Sequence, residues 1–449
     1  MSLSSEEVVS FQHSITHTCV KTQPRLLGQL QFTWEHGTWG PIPRWLSVPN
    51  IAAIESLSRS RLQLPADQDL TVSFFSEGAF NKLYTVTISG GDGKPLSPQY
   101  IFRVTIPVEP FYKTASEVAT ISYLREHTSI PVPRVIAHSS TAENELRYEW
   151  ILMEKVAGVA LAVIWDDIGM ETKIRETKVL AGFVRQLRDL RHHFAKIGNL
   201  YFREDIDSFK HTKYVSSMED GKYVLGPIVT PYMFAGACKR CVPRELGPYP
   251  DEGAYITALI LSEQKRMELW QSAEVACDDF DEDLAEDADD IAEVLQELQV
   301  ISYALFPSLP CNFRLYHQDL SLANILVDPE TNKILGIVDW ECVGVRPHWE
   351  DTYPLFLIGP TLEEEIEPLA PGDTDAFRVE RWENWEKMRL RSVFDLELGG
   401  ERDAGDGEDE TRRELREQLD WADVSQTMLR KWIEKHTNLR QKQMLPESG

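Results

Sequence analysis

The sequence predicts an α+β chain in two lobes, a small β-rich lobe followed by a larger, mainly helical one. Three observations carry that reading. Period-two alternation is concentrated between about residue 70 and residue 156. Beyond Gly158 the apolar residues recur at helical spacing, in ETKVLAGFVRQLRDLRHHF, EGAYITALILSEQKRMELW and IAEVLQELQVISYAL. Of 449 residues, 42% are hydrophobic and 10% aromatic, enough to bury a core in each lobe and too many for a disordered chain.

The elements follow in order. Residues 1–65 include the Trp- and Pro-rich stretch FTWEHGTWGPIPRWLSVP and are expected to form an irregular arm packing on the core. Residues 66–156 form the small lobe. There TVSFFSE reads as a strand, Gly78 lies in a turn, and in NKLYTVTISG Leu83, Thr85 and Thr87 alternate against Tyr84, Val86 and Ile88. GGDGKPLSP is a turn cluster and YIFRVTI a third strand. ASEVATISYLREHT places Val118, Ile121 and Leu124 on one helical face, and the prolines of IPVPRVI end the helix. ELRYEWILMEKVAG adds a further apolar strand.

Residues 157–449 form the helical lobe, interrupted by a loop region around 200–250, an acidic insertion at 277–290 and an acidic loop at 399–410 expected to be unstructured. The acidic insertion lacks the alternation and turn glycine of a calcium loop and reads as a solvated face. Helix resumes from Thr411.

Forty-six basic against seventy-two acidic side chains give a formal charge of −26. A nucleic-acid partner requires cationic surface to displace counterions, so that class is excluded, while a small anionic ligand such as a nucleotide is not. No apolar run reaches the ~18–20 residues of a membrane span. The first residues carry Glu6 and Glu7 and no Arg or Lys before Lys21, unlike a secretory signal or a mitochondrial presequence. With only six cysteines, a reducing, cytoplasmic location is expected over a mitochondrial one.

Chemistry concentrates in the segment 315–341, whose core reads YHQDLSLANILVDPETNKILGIVDWE. Ile325, Leu326 and Val327 form a strand, DPETNK a turn and ILGIV the returning strand. The two outer ends of this hairpin carry His317, Asp319 and Asn324 on one side and Asp339 on the other. Two carboxylates and an amide converging there make the hard, oxygen-rich donor set that Mg²⁺ prefers. Alternatively, one acid stays off the metal and accepts a proton from an attacking hydroxyl. His317 is expected to orient the loop by hydrogen bonds, because no second His lies at ligand spacing. The single pair Cys238 and Cys241 in CKRC is no zinc site without a second pair, and His192 and His193 suit a helix end.

The spacing H-x-D-x-x-x-x-N followed by a strand-borne Asp resembles the catalytic loop and metal-binding Asp of protein-kinase-like phosphotransferases. Trp340-Glu341 follows Asp339 in place of Phe-Gly, Ser321 stands where protein Ser/Thr kinases have Lys, and no activation segment is present, which disfavours a protein kinase. Over roughly residues 70–360 the chain is instead similar to the aminoglycoside phosphotransferase and choline kinase-like family, in a fungal phosphotransferase-domain branch. RVTIPVEPFYKTASEVATISYLREHTSIPVPRVI and NELRYEWILMEKVAG share that likeness.

The resemblance implies a protein-kinase-like fold, ATP and Mg²⁺ as cofactors, and a small-molecule acceptor, with an amine-bearing one suiting an acidic lobe. It implies Asp319 as general base, His317 as its support, and Asn324 and Asp339 as Mg²⁺ ligands. Gly78 matches the phosphate-covering turn, where the lack of a Cβ lets backbone approach phosphate. Arg103 occupies the position of the ATP-gripping cation, often Lys, and Glu117 that of the helix acid orienting it. Arg is planar and bidentate where Lys is a point charge, and Lys82 and Lys113 are rival cations. Glu154 and Val156 match hinge positions whose backbone meets the adenine edge, with Leu152 or Met153 lining the pocket. Glu341 either supports the metal shell or is solvated. The alternative function is a nucleotide-binding pseudokinase or scaffold, to which an Arg in place of Lys and a Gly-poor phosphate turn would belong.

Overall fold

The first described elements are a hairpin, β1 (Phe32–Gly37) and β2 (Gly40–Trp45), followed by helix α1 (Ile51–Arg61). The computed structural model describes residues 32–37, 40–208, 215–218, 221–234, 246–271, 288–306, 313–360, 362, 374–399, 407–420 and 430–435. The arm is therefore more regular than its sequence predicts. Pro41 and Pro43 lie within β2 opposite His36 and Trp34, which a two-stranded ribbon tolerates because both strands are edges. Helix α1 is capped by Asn50, whose side chain accepts from the Ala52 N–H at 2.9 Å.

The small lobe is a five-stranded antiparallel sheet of β3 (Leu70–Glu77), β4 (Asn81–Ile88), β5 (Tyr100–Thr105), β6 (Val135–Ser139) and β7 (Glu149–Glu154), in the order β3-β4-β5-β7-β6. One face, with Tyr84, Val86, Phe102, Val104, Trp150 and Leu152, is buried under Ile54 and Leu57 of α1. The other carries Leu83, Ile101, Ile151 and Met153 against Val118 of helix α2 (Tyr112–His127). The register Leu83↔Arg103↔Ile151 puts Arg103 on this second face.

In the large lobe β8 (Val159–Ala160) leads to α3 (Met170–Asp189). The expected loop region around 200–250 instead contains a sheet of β9 (Asn199–Phe202), β10 (Ser216–Ser217) and β11 (Tyr223–Gly226). Strands of two to four residues are too short to show a period. Helices α4 (Glu252–Gln271) and α5 (Ala288–Leu305) pack together, β12 (Phe313–Tyr316) pairs β15 (Gly344–Pro347), and β13 (Ile325–Val327) pairs β14 (Ile334–Ile337) and β8. Helices α6 (Ala376–Glu397) and α7 (Gly407–Asp420) follow.

The acidic loop is shorter than expected, since Gly407–Glu410 already belong to α7, where acids complement the positive helix start. Asp409 there accepts from Arg412 at 2.9 Å and pairs with His348 at 3.1 Å. Residues 1–31 of the arm, Cys238 and Cys241, residues 277–287 of the acidic insertion and residues 400–406 lie outside the described residues. No helix among the described residues is long and apolar enough to cross a membrane.

Two glycines fix how the lobes meet. Gly158 has φ +101°, and a Cβ there would come within 2.3 Å of the Val327 carbonyl oxygen. A Cβ on Gly336 would meet the Val156 side chain at 2.7 Å. The β13–β14 hairpin thus lies directly against the chain segment joining the lobes.

Candidate active site

The site is built on the turn between β12 and β13. The Ser321 N–H donates to the Asp319 carbonyl at 3.0 Å and the Asn324 N–H to the Ser321 carbonyl at 3.1 Å, winding residues 319–324 into a tight turn. The Asn324 side-chain N–H₂ then donates to both the Asp319 carbonyl, 2.9 Å, and its carboxylate, 3.0 Å. Burial pushes the Asp319 carboxyl upward, opposed by hydrogen bonds from Asn324 and Ser321. With its N–H₂ so engaged, the Oδ1 of Asn324 is left as an available ligand atom.

Asp339 is brought alongside by a backbone bond, the Val338 N–H donating to the Asn324 carbonyl at 2.9 Å. Its φ of +64° lies in the left-handed region, which Asp tolerates better than most residues. The chain turns there and presents the carboxylate to Arg103, whose Nη1 is 3.7 Å away. Burial, then the charge of Glu341, push the Asp339 carboxyl up to about 6, against the pull of Arg103 and Lys113.

Arg103, 4% exposed, binds Glu117 of α2 through Nη2, so the expected cation and acid do meet. Its Nη1 also lies 4.0 Å from Glu341. Glu341 accepts from Lys113 Nζ and, at 2.7 Å, from Asn81 Nδ2, and Thr105 Oγ1 holds Asn81 at 2.9 Å. Burial would push the Glu341 carboxyl up, but Lys113 and Arg103 outweigh it and hold it below the usual carboxylate range. Glu341 is therefore no solvated residue; it is the point on which side chains from β4, β5 and α2 converge.

His317 is buried and pushed down to about 4 by that burial, which keeps the imidazole neutral at pH 7. Its Nε2 lies 3.4 Å from the Val338 carbonyl and its ring 4.7 Å from that of Trp340. These contacts tie the turn to the exit of β14.

The remaining expected residues lie on the β3–β4 turn and on the segment that joins the lobes. Gly78 is at the tip of the β3–β4 turn, its N–H donating to the Asn81 carbonyl at 2.9 Å, and a Cβ there would meet no atom within 4 Å. At the hinge, the N–H groups of Glu154 and Lys155 are taken by the Arg134 and Gln99 carbonyls, at 2.9 and 2.8 Å. Val156 N–H has no backbone partner among the described residues. Met153 lies on the face of the sheet that packs against α2, as Arg103 does, whereas Leu152 is buried under α1. Of the rival cations, Lys82 faces away, 3.2 Å from Glu77 and over the Trp45 ring, while Lys113 lies inside the site.

No group of three or more His, Cys, Asp and Glu able to hold a metal occurs among the described residues. The set present, one carboxylate of Asp339 and the amide oxygen of Asn324, fits Mg²⁺ as nucleotide sites hold it, with few protein ligands and the rest from phosphate and water. Sequence reasoning missed Asn81 altogether and the partner of Lys113. A polar residue at the mouth of the β3–β4 turn was the available signal for Asn81.

A small sheet lobe, a helical lobe and this turn-hairpin site between them define a protein-kinase-like α+β protein. The chain belongs to the phosphotransferase enzyme family, whose family model matches residues 71–391. Among curated relatives, a subtelomeric hrmA-associated cluster protein of Aspergillus fumigatus is 27% identical, over 73% of this chain and 67% of that one. Altered inheritance of mitochondria protein 9, mitochondrial, of Clavispora lusitaniae is 25% identical, over 74% of this chain and 58% of its own length. Similar solved structures include spectinomycin phosphotransferase APH(9)-Ia in complex with ADP and spectinomycin, 12% identical with a TM-score of 0.41, covering 89% of this chain and 96% of that one. A thermostable mutant of aminoglycoside phosphotransferase APH(4)-Ia, in ternary complex with AMP-PNP and hygromycin B, is 14% identical with a TM-score of 0.39, covering 87% and 94%.

Proposed function

We propose that the protein transfers the γ-phosphate of ATP to a hydroxyl of a small molecule. The observation that carries this reading is the convergence of Asp319, Asn324 and Asp339 on one turn-and-hairpin, opposite the Arg103–Glu117 pair. Asp319 is the general base: Asn324 orients its carboxylate, and burial raises its affinity for the hydroxyl proton. Asp339 and Asn324 Oδ1 would hold Mg²⁺, which would supply neutralisation of phosphate charge. Arg103 grips phosphate oxygens, and Glu117 fixes its guanidinium. The Gly78 turn covers the phosphates, and the Glu154 carbonyl and Val156 N–H meet the adenine edge. Positioning and charge neutralisation then supply most of the catalysis.

An amine-bearing acceptor, suited to a chain of charge −26, and a cytoplasmic place of action belong to the same proposal. The test is phosphorylation of a metabolite panel with Mg·ATP, followed by mass spectrometry. Asp319→Ala is expected to abolish transfer while keeping Mg·ADP binding, and full turnover in that variant would remove Asp319 from its role. A second reading, a nucleotide-binding scaffold, is favoured by one feature: the Arg103 guanidinium is already engaged by Glu117 and nearly sealed from solvent. Binding of Mg·ATP with no transfer to any acceptor would select it.

A further inference from the structure

Lys113 is a fully buried ammonium that pairs directly with the Glu341 carboxylate. The Phe80 ring lies 5.5 Å from its Nζ and packs in turn on Phe234 at 5.5 Å, so the cation is roofed over. Glu341 stands two residues from Asp339. Within this cluster Arg103 and Lys113 face Glu117, Asp339 and Glu341, leaving one net negative charge. Stability alone does not account for such a pair, because buried ion pairs are commonly no better than apolar side chains of the same volume. Its position beside a metal ligand does.

We propose that Lys113 is a positioning residue of the nucleotide–metal site: it holds Glu341, with help from Asn81, out of the cation's coordination shell. Asp339 and Asn324 are then the protein ligands, and the site becomes a good cation site only when nucleotide phosphates complete it. The inference rests on the phosphotransfer reading above and deepens it. Removing the Lys113 charge frees Glu341 to join Asp339, giving two carboxylates and one additional net negative charge. That donor set binds a divalent cation without nucleotide.

The experiment is a thermal-shift titration of the full chain with MgCl₂ alone, ADP alone and Mg·ADP. Wild type is expected to respond to Mg·ADP and hardly to MgCl₂. Lys113→Met is expected to gain a saturable response to MgCl₂ alone, with half-saturation at least tenfold lower than wild type. Lys113→Gln keeps an N–H donor on Glu341 without the charge, should show the same gain, and is the version to use if the Met protein does not fold. Adding Glu341→Gln to either should abolish the gain. A merely structural pair would lower the melting temperature without creating any magnesium dependence. Absence of the gain in a folded single variant overturns the inference, and so does its persistence in the double variant. A wild type blind to Mg·ADP would instead overturn the phosphotransfer reading, and this inference with it.

Discussion

Arg103→Met probes the contact between sheet and helix on which the proposed nucleotide side of the site depends. Arg103 is 4% and Glu117 1% exposed, so deleting the guanidinium strands a carboxylate with no water to solvate it. Breaking one partner of a buried pair costs about 3–5 kcal/mol, whereas replacing both with apolar side chains is often neutral or stabilising. Arg103→Met is therefore expected to lose about that much stability, and Arg103→Met with Glu117→Leu to return to within about 1 kcal/mol of wild type. Urea denaturation with a shared slope measures both. The second readout is the Mg·ADP thermal shift. It should be weak in both variants, since Arg103 also lies 3.7 Å from Asp339 and neither variant restores a cation there. Stability thus recovers in the double variant while nucleotide binding does not. A single variant costing under about 1 kcal/mol, the range of a solvated surface pair, would refute the buried-pair argument. A double variant no more stable than the single would refute it equally.

Three further outcomes follow from the same physics. Burial raises the Glu149 carboxyl from 4.5 to about 7, against the hydrogen bond from the Phe111 N–H and the charge of Lys113. The folded state therefore binds this proton more tightly than the unfolded one, so the contribution is present below about pH 4.5 and is lost as pH rises toward 7, by about 3 kcal/mol in all. Glu149→Gln should flatten that part of the curve in urea midpoints measured from pH 4 to pH 8, and an unchanged slope would dissociate Glu149 from it. Gly158→Ala should cost more than about 2 kcal/mol, because φ is +101° and the new Cβ would sit 2.3 Å from the Val327 oxygen; a melting temperature equal to wild type counts against this. Lys82→Met should change stability by less than about 1 kcal/mol and leave the Mg·ADP shift intact, because Lys82 pairs with Glu77 on the far side of the sheet from Arg103. A lost shift would return Lys82 to the site.

What was legible in the sequence was what the chain decides locally. Asp319 and Asn324 meet because six residues wind into one turn, and Asp339 joins them through a hairpin whose strands are apolar and whose turn is polar. Spacing encodes such geometry directly. The strand alternation around Tyr84 and Leu83 was equally readable, but whether Leu152 or Met153 faced α2 was not, since that depends on which face α1 covers. The hairpin in the arm was hidden by prolines that break a central strand and not an edge. Glu341 was hidden for a different reason. Its partners Lys113 and Asn81 lie 228 and 260 residues away in sequence, and nothing local distinguishes a carboxylate that will be enclosed by another lobe from one left in water. Its environment also reverses the expectation for a buried acid. Burial pushes the Glu341 carboxyl up, yet Lys113 and Arg103 hold it ionised, while burial and the charge of Glu341 push Asp339, two residues earlier, upward more than the same two cations pull it down. Two acids on one short segment thus acquire different chemistry from where the small lobe places its cations, and it is the one less tightly paired to which the proposed function gives the metal.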